Sequence, residues 1–176
     1  TLESWMGRGI YTFLDRYTLS VTGRYDGSSV LAPGHKFAFF PAASLGWQIG
    51  DESFMRSVPV ISDLKLRVSY GRVGNSAIGA YQTLGLLART WYANTNNYLV
   101  GFQPGAIPNP DLRWETTDKY NIGLDFGLLN QRVSGSIDAY RENTHDLLLP
   151  RALPYTSGYS QITQNVGATK NLGLEF

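Results

Sequence analysis

Cysteine is absent from this sequence, which excludes a disulfide framework, a thiolate zinc site and a cysteine nucleophile. Histidine is scarce: His35 and His145 stand far apart in the chain, poor material for a metal site or a triad. Charge is thin as well. Asp, Glu, Lys and Arg make up 16% of the 176 residues, against roughly 25% in an ordinary soluble domain. With 15 basic and 14 acidic residues the net charge is +1, so there is no polycationic surface of the kind that nucleic acid requires. Apolar runs stop after a few residues, as in Leu147-Leu148-Leu149, and none is long enough for a transmembrane helix. Thr1 opens the chain without a basic-then-apolar leader, which places any export signal outside these residues. P-loop, G-x-G-x-x-G and nucleophile-elbow patterns are missing too.

What the sequence does have is aromatic side chains (4 Trp, 11 Tyr and 8 Phe), 19 glycines and alternation. Tyr17, Leu19, Val21, Gly23 and Tyr25 alternate with Thr18, Ser20, Thr22 and Arg24. The same period of two runs through Leu64 to Tyr70, Tyr120 to Leu128, Val133 to Ala139 and Leu172 to Phe176. A strand shows this pattern when its two faces meet different surroundings. Seven strands are expected, at about 5–14, 16–26, 37–50, 63–73, 114–128, 131–149 and 165–176. Leu14-Asp15-Arg16 and Leu129-Asn130-Gln131 read as tight hairpin turns. Residues 51–62 read as a short connector in which Asp51 caps one helical turn over Glu52 to Arg56. The segments 27–36, 74–113 and 150–164 are longer and rich in Gly, Pro, Asn, Ser and Tyr. All the tight connections therefore fall at one end of the sheet and all the long ones at the other. The segment 74–113 has no strong pattern and exceeds ordinary loop lengths, which points to a functional loop.

Alternation by itself fits both a soluble sandwich and a membrane barrel. Three features favour the barrel. The strands exceed the ~5–6 residues of a typical globular strand and reach the ~9–11 tilted residues that cross a bilayer. The apolar register from Tyr17 to Phe176 is free of charge between the strand ends, and charge falls on the other register at Arg24, Lys65, Arg67, Asp125, Arg132, Asp138 and Glu175. Tyrosines 17, 25, 70 and 120 bracket the aliphatic positions, as an aromatic girdle does. The competing reading is a secreted soluble β-sandwich that binds carbohydrate through the 74–113 loop.

Several motifs then carry a resemblance. Arg24-Tyr25-Asp26-Gly27-Ser28-Ser29, Phe40-Pro41-Ala42-Ala43-Ser44-Leu45-Gly46-Trp47 and Ser62-Asp63-Leu64-Lys65-Leu66-Arg67-Val68-Ser69-Tyr70-Gly71 come first. They are followed by Pro108-Asn109-Pro110-Asp111-Leu112-Arg113-Trp114-Glu115, Asn121-Ile122-Gly123-Leu124-Asp125-Phe126-Gly127, and Asn165-Val166-Gly167 with Asn171-Leu172-Gly173-Leu174-Glu175. In order and spacing this resembles the later barrel strands of the SusC/RagA family of TonB-linked outer-membrane transporters, over the whole chain. The resemblance implies an all-β, antiparallel up-and-down transmembrane barrel, of which this chain supplies about seven of 22 strands. It further implies a plug domain and remaining strands outside residues 1–176, a SusD-like lipoprotein lid, energy from the TonB–ExbB–ExbD complex, and import of glycans or peptides. Outer-membrane lipid is the expected surrounding, and neither cofactor, metal nor catalysis is implied. A piece of this size has two unpaired edges and is not expected to fold alone in water.

Two groups of residues are candidates for function. Arg24, Lys65, Arg67, Asp125 and Asp138 form the expected polar wall of a lumen. Asp125 and Asp138 lie on facing strands, where a glycosidase pair is conceivable, but ion pairing with the neighbouring Arg and Lys residues is the simpler expectation. Trp91, Tyr92, Tyr98 and Phe102, interleaved with Asn94, Asn96 and Asn97, offer flat rings beside amides, the chemistry of a sugar-binding or partner-binding surface. The plain alternative is that these rings only pack the loop against its neighbours.

Overall fold

The computed structural model describes residues 1–94 and 97–176, so Asn96 of the candidate loop lies outside the described residues. Among the described residues eleven strands form: Leu2–Phe13 (β1), Tyr17–Ser28 (β2), Phe37–Gln48 (β3), Ile61–Asn75 (β4), Leu86–Asn94 (β5), Asn97–Ala106 (β6), Glu115–Leu128 (β7), Val133–His145 (β8), Leu148–Ala152 (β9), Gln161–Asn165 (β10) and Ala168–Glu175 (β11). Seven of them make one antiparallel up-and-down sheet in the order β1-β2-β3-β4-β7-β8-β11, and it does not close on itself. These are the seven strands the alternation marks. The tight turns, with Leu14, Asp15, Leu129, Asn130 and Gln131 at positive φ, lie at one end together with the 49–60 connector.

Three local expectations are corrected. The expected strand 131–149 stops at His145, because Asp146 turns to φ 57° and sends the chain into a separate hairpin, β9–β10. The last strand begins at Ala168 rather than 165, after Gly167 at φ 90°. Asp51 caps nothing: the connector holds short 3-10 turns, Ile49–Asp51 and Ser53–Ser57, without side-chain caps. The patternless segment 74–113 also contains a hairpin, β5–β6. Gly101, Pro104 and Gly105 interrupt the β6 alternation that would have revealed it.

Register shows how the sheet is inclined. One row of hydrogen-bonded neighbours runs Tyr17, Trp47, Leu66, Leu124. Tyr17 sits at the short-turn end of β2, whereas β7 continues below that row from Leu124 to Leu128 before its turn. Four residues at ~3.3 Å, gained over three strand spacings of ~4.8 Å, correspond to strands inclined by about 40°. This lies in the range that transmembrane barrels require.

The two faces separate cleanly in the middle of the sheet. Leu19, Val21, Leu45, Val68, Ile122 and Leu174 share the outward register and are each 40–61% exposed. A continuous uncovered apolar face of this extent is foreign to a soluble monomer. Aromatic rings close it at both ends. At the short-turn end Phe13 meets Tyr17 at a tilt and Tyr17 stacks on Trp47 (centroids 6.4 and 6.1 Å). At the long-loop end Trp5, Tyr25 and Phe37 stack in sequence (6.5 and 5.3 Å), and Tyr70 meets Tyr120 at 5.1 Å. Gly23 and Gly135, which leave gaps in an apolar face, are covered by the rings of Phe39 and Phe126 from the adjacent strands.

Charge returns to the outward register at the long-loop end, inside the observed strands, which corrects the expectation of a register free of charge between the strand ends. The strands run beyond the apolar belt, and there Arg72, Asp118, Arg141 and Lys170 occupy outward positions. Arg72 Nε donates to Asp118 Oδ1 at 2.8 Å, and the Tyr70 hydroxyl donates to the same oxygen at 2.8 Å.

Candidate functional site

The polar face is organised around Arg67. Its Nε and Nη2 donate to the two carboxylate oxygens of Asp125, both at 2.8 Å, and Nη2 also reaches Asp138 at 3.1 Å. Register explains how one guanidinium spans three strands. Arg67 pairs with Gly123, and Gly123 pairs with Asp138, so the side chain passes over a residue that has no Cβ. A Cβ on Gly123 would overlap both Arg67 Nη2 and Asp138 Oδ1. Asp125 and Asp138 are thus joined by a cation on the same polar wall, as the pairing expectation has it. The guanidinium occupies the space between the two carboxylates that a glycosidase pair leaves open for the scissile bond.

The other polar-wall candidates are dispersed along the same face. Lys65 stands opposite Asp125 in register and lines a hollow with Thr18, Arg67, Ser69 and Asn121. Arg24 lies further toward the long loops, where it pairs with Asp26 at 2.8 Å and its guanidinium sits 5.7 Å from the Phe40 ring centroid. Lys119 and Glu142, which sequence reasoning did not single out, add a cross-strand pair at 2.6 Å. Among the described residues no three His, Cys, Asp or Glu side chains gather as a metal site requires.

At the long-loop end the motif Pro108–Glu115 locks three loops together. Leu112 is fully buried with Leu31, Phe40 and Trp114, the apolar core of this end. The Trp114 indole donates to the Lys36 carbonyl at 3.0 Å, tying in the 29–36 loop. Asn165 holds the 146–167 segment: its amide donates to the carbonyls of Arg113 and Asp146, and its oxygen accepts from the Arg113 N–H. Asn109 Nδ2 donates to the Thr163 carbonyl, while Glu115 accepts from the Leu148 N–H and from Asn75. Gly74 has no room for a Cβ beneath the Phe40 and Trp114 rings. Sequence alone marks these residues as motif but not as contacts, because each partner comes from a different loop.

From this locked base the β5–β6 hairpin projects as a two-stranded sheet of its own. Its register puts Leu87, Arg89 and Trp91 on one face with Tyr98, Val100 and Phe102. Trp91 is 58% exposed, Phe102 69% and Tyr98 79%. Arg89 lies over Trp91, 4.8 Å from the ring centroid. Tyr92 stands on the opposite face, against Gly101. The structure therefore brings three of the four ring candidates together and separates the fourth.

A girdle anchor that the sequence reading missed sits at the short-turn end. The Glu52 carboxylate accepts from the Tyr17 hydroxyl (2.6 Å), the Trp47 indole (3.1 Å) and Arg16 Nη1 (3.1 Å). The Tyr17 hydrogen bond, then the Trp47 bond, then the Arg16 charge hold this carboxyl below its ordinary range. Trp47 stands in a sequence motif of β3; Glu52 carries no signal of its own, because the Arg16-Tyr17 pair that it joins to Trp47 lies on another strand hairpin.

Residues 1–176 match throughout the family described as TonB dependent receptor-like, beta-barrel. The chain belongs to that family. It is 41% identical over 182 aligned positions to the TonB-dependent receptor SusC of Bacteroides thetaiotaomicron, an alignment covering all of this chain and 18% of that protein. With the TonB-dependent receptor P26 of Formosa agariphila the identity is 39%, over 99% of this chain and 18% of the relative. The solved RagAB peptide transporter superposes with a TM-score of 0.89 at 33% identity, covering 98% of this chain and 19% of that one. The SusC/RagA resemblance and the partial up-and-down barrel are thereby established. The chain spans less than a fifth of the length of these relatives, all of them members of a family of receptors and transporters rather than of enzymes.

Proposed function

We propose that residues 1–176 are the later barrel strands of an outer-membrane importer whose plug domain and remaining strands lie elsewhere in a longer protein. The two-faced sheet, inclined by about 40°, is the observation that carries this reading. Its outward face meets outer-membrane lipid, and Arg24, Lys65, Arg67, Asp125 and Asp138 line the lumen and meet the plug. Short turns face the periplasm and long loops face outward. The polar face is a path rather than a reaction centre, since its strongest cluster is a neutralising ion-pair network.

In this reading the hairpin face of Trp91, Tyr98 and Phe102 meets the cargo or a SusD-like lipoprotein lid, with Tyr92 contributing from the reverse side. Glycans and peptides both suit rings flanked by amides, and the likeness to a peptide transporter supports the second. Energy arrives from the TonB–ExbB–ExbD complex through the plug. The test is uptake by cells carrying the full-length transporter. Trp91→Ala with Tyr98→Ala lowers uptake or lid capture at an unchanged amount of folded barrel, whereas Thr90→Ala, on the reverse face, does not. Normal uptake and lid binding by the double variant would reduce these rings to packing.

A further inference from the structure

The outward residues beyond the apolar belt are unevenly charged. On β1 to β3 this level carries rings: Trp5, Tyr25 and Phe37. On β4, β7, β8 and β11 it carries Arg72, Arg141 and Lys170 against a single carboxylate, Asp118, which is already held by Arg72 and Tyr70. Arg141 stands next to Tyr120 in register, and its Nε donates to Asn143 Oδ1 at 3.1 Å, which leaves the two terminal nitrogens directed elsewhere. Lys170 lies opposite Asn143, diagonal to Arg141. Among the described residues neither Arg141 nor Lys170 forms an ion pair; Glu142, next to Arg141, points to the polar face and is taken by Lys119, and Glu175 lies at the far end of β11 on that same face.

The strand inclination sets the height of these groups. Val21 is midway between the girdle rings Tyr17 and Tyr25, and its row runs through Ala43, Tyr70 and Tyr120 to Arg141 and Leu172. Each step along the row at 40° rises about 3 Å. Arg141, four steps away, is therefore about 12 Å above the belt centre, where a belt about 25 Å tall ends. Lys170, one strand and two residues further, is at about 20 Å, still within the headgroup layer of a bilayer about 40–45 Å thick.

We propose that Arg141 and Lys170, with Arg72 beside them, form a binding site for phosphate-bearing lipid headgroups of the outer leaflet. The guanidinium and ammonium groups supply donors to phosphate oxygens, and the Asn143 side chain holds the first in place. The inference rests on the outward placing of the long loops proposed above and goes beyond it. No step of transport depends on it.

The test uses the full-length transporter in phosphatidylcholine nanodiscs containing either lipopolysaccharide or its dephosphorylated form, with bound lipid read by native mass spectrometry. Wild type retains the phosphorylated form preferentially, and retention falls with salt. Arg141→Gln with Lys170→Gln weakens it about 25-fold, about fivefold per charge. Arg141→Lys with Lys170→Arg retains it, and Arg151→Gln, in the outer hairpin β9, is without effect. Equal retention of the dephosphorylated lipid, or undiminished retention by the Gln pair, overturns the site. Should the Gln pair fail to assemble, salt-independent retention by wild type overturns it instead. On whole cells a cysteine at Thr156 reacts with an impermeant thiol reagent and one at Asn130 does not. The reverse labelling overturns the orientation and the site together, whereas expected labelling with unchanged lipid retention overturns the site alone.

Discussion

Replacing Leu124 by arginine tests the membrane face at its most sensitive point. Leu124 lies in the outward register of β7, between Leu66 and Ile137. Tyr120 shares a row with Val21 and stands three steps from it, about 9 Å above the belt centre at ~3 Å per step. Leu124 is four residues further toward the short turn, and each residue descends about 2.5 Å along the membrane normal. The side chain therefore leaves the barrel within a few ångströms of mid-bilayer, where an arginine costs ~2–4 kcal/mol. The same substitution at Leu172, five steps along the row and about 15 Å above the centre, costs ~0–1 kcal/mol. On the polar face, Asn121→Arg places the charge between Ser69 and Tyr140 and is expected to cost little. The measurement is the equilibrium folding of the full-length transporter into bilayers over a urea series, with folded protein read from its resistance to heat during electrophoresis. Equal costs at Leu124 and Leu172 would refute the depth assignment, and an Asn121→Arg cost matching that of Leu124→Arg would refute the assignment of faces.

Two further outcomes follow from named contacts. Gly123→Ala displaces Arg67 from Asp138 and loosens its hold on Asp125; because Arg67 is partly exposed, the loss is about 1–2 kcal/mol, and a variant as stable as wild type in the same urea series would show that the bridge contributes nothing. Glu52→Gln removes the charge that Tyr17, Trp47 and Arg16 hold, and the sign of its pH dependence is set by the lowered pKa of the folded state. Stability from such a group is fully present above the ordinary carboxylate range and is lost as pH falls through the depressed value. Thermal melts should therefore separate wild type from Glu52→Gln at neutral pH and converge in acid; a gap that widens on acidification would contradict the assignment.

The sheet was legible because lipid on one side and water on the other impose a period of two on the side chains themselves. Leu64 to Tyr70 and Tyr120 to Leu128 announce strand, face and belt without reference to any partner. Boundaries were less legible where one backbone angle decides, as at Asp146 and Gly167. The β5–β6 hairpin escaped notice for a different reason. Among the described residues most of both its faces is exposed, so its sequence had little core to alternate against, and Gly101, Pro104 and Gly105 blur what pattern there is. Of the site, Arg67, Asp125 and Asp138 could be assigned to one wall from sequence, but their union could not, since it depends on a strand register that places Gly123 between them. Asn165 stood in a motif without its contacts, and Glu52 in none, because the partners that define their roles, such as Arg113 and Tyr17, lie in other segments of the chain.

Strand length accounts for how the two ends of this sheet differ. About 9–11 inclined residues cross the hydrocarbon layer, yet β4 has 15 residues and β7 has 14. At the short-turn end little is spare: Leu128 is followed directly by the turn at 129–131, and Glu52 gathers the girdle side chains close to the chain reversal. The surplus lies at the other end. There the ladder between β3 and β4 stops at Ala42 and Gly71, while β4 and β7 stay paired up to Asn75 and Glu115. Freed from β3, this extension brings Gly74 and Trp114 against Phe40, burying a core where a bare strand end would otherwise fray. That core is where Leu112, Trp114, Asn109 and Asn165 fasten the long loops. A hairpin of two strands is marginal on its own, so its rings can hold a defined position only if its base is fixed, and the extended strands supply that base. Loosening the junction by Leu112→Ala should accordingly disorder the outer loops while leaving the seven-stranded sheet assembled, since the sheet's own ladder and lipid face do not pass through Leu112.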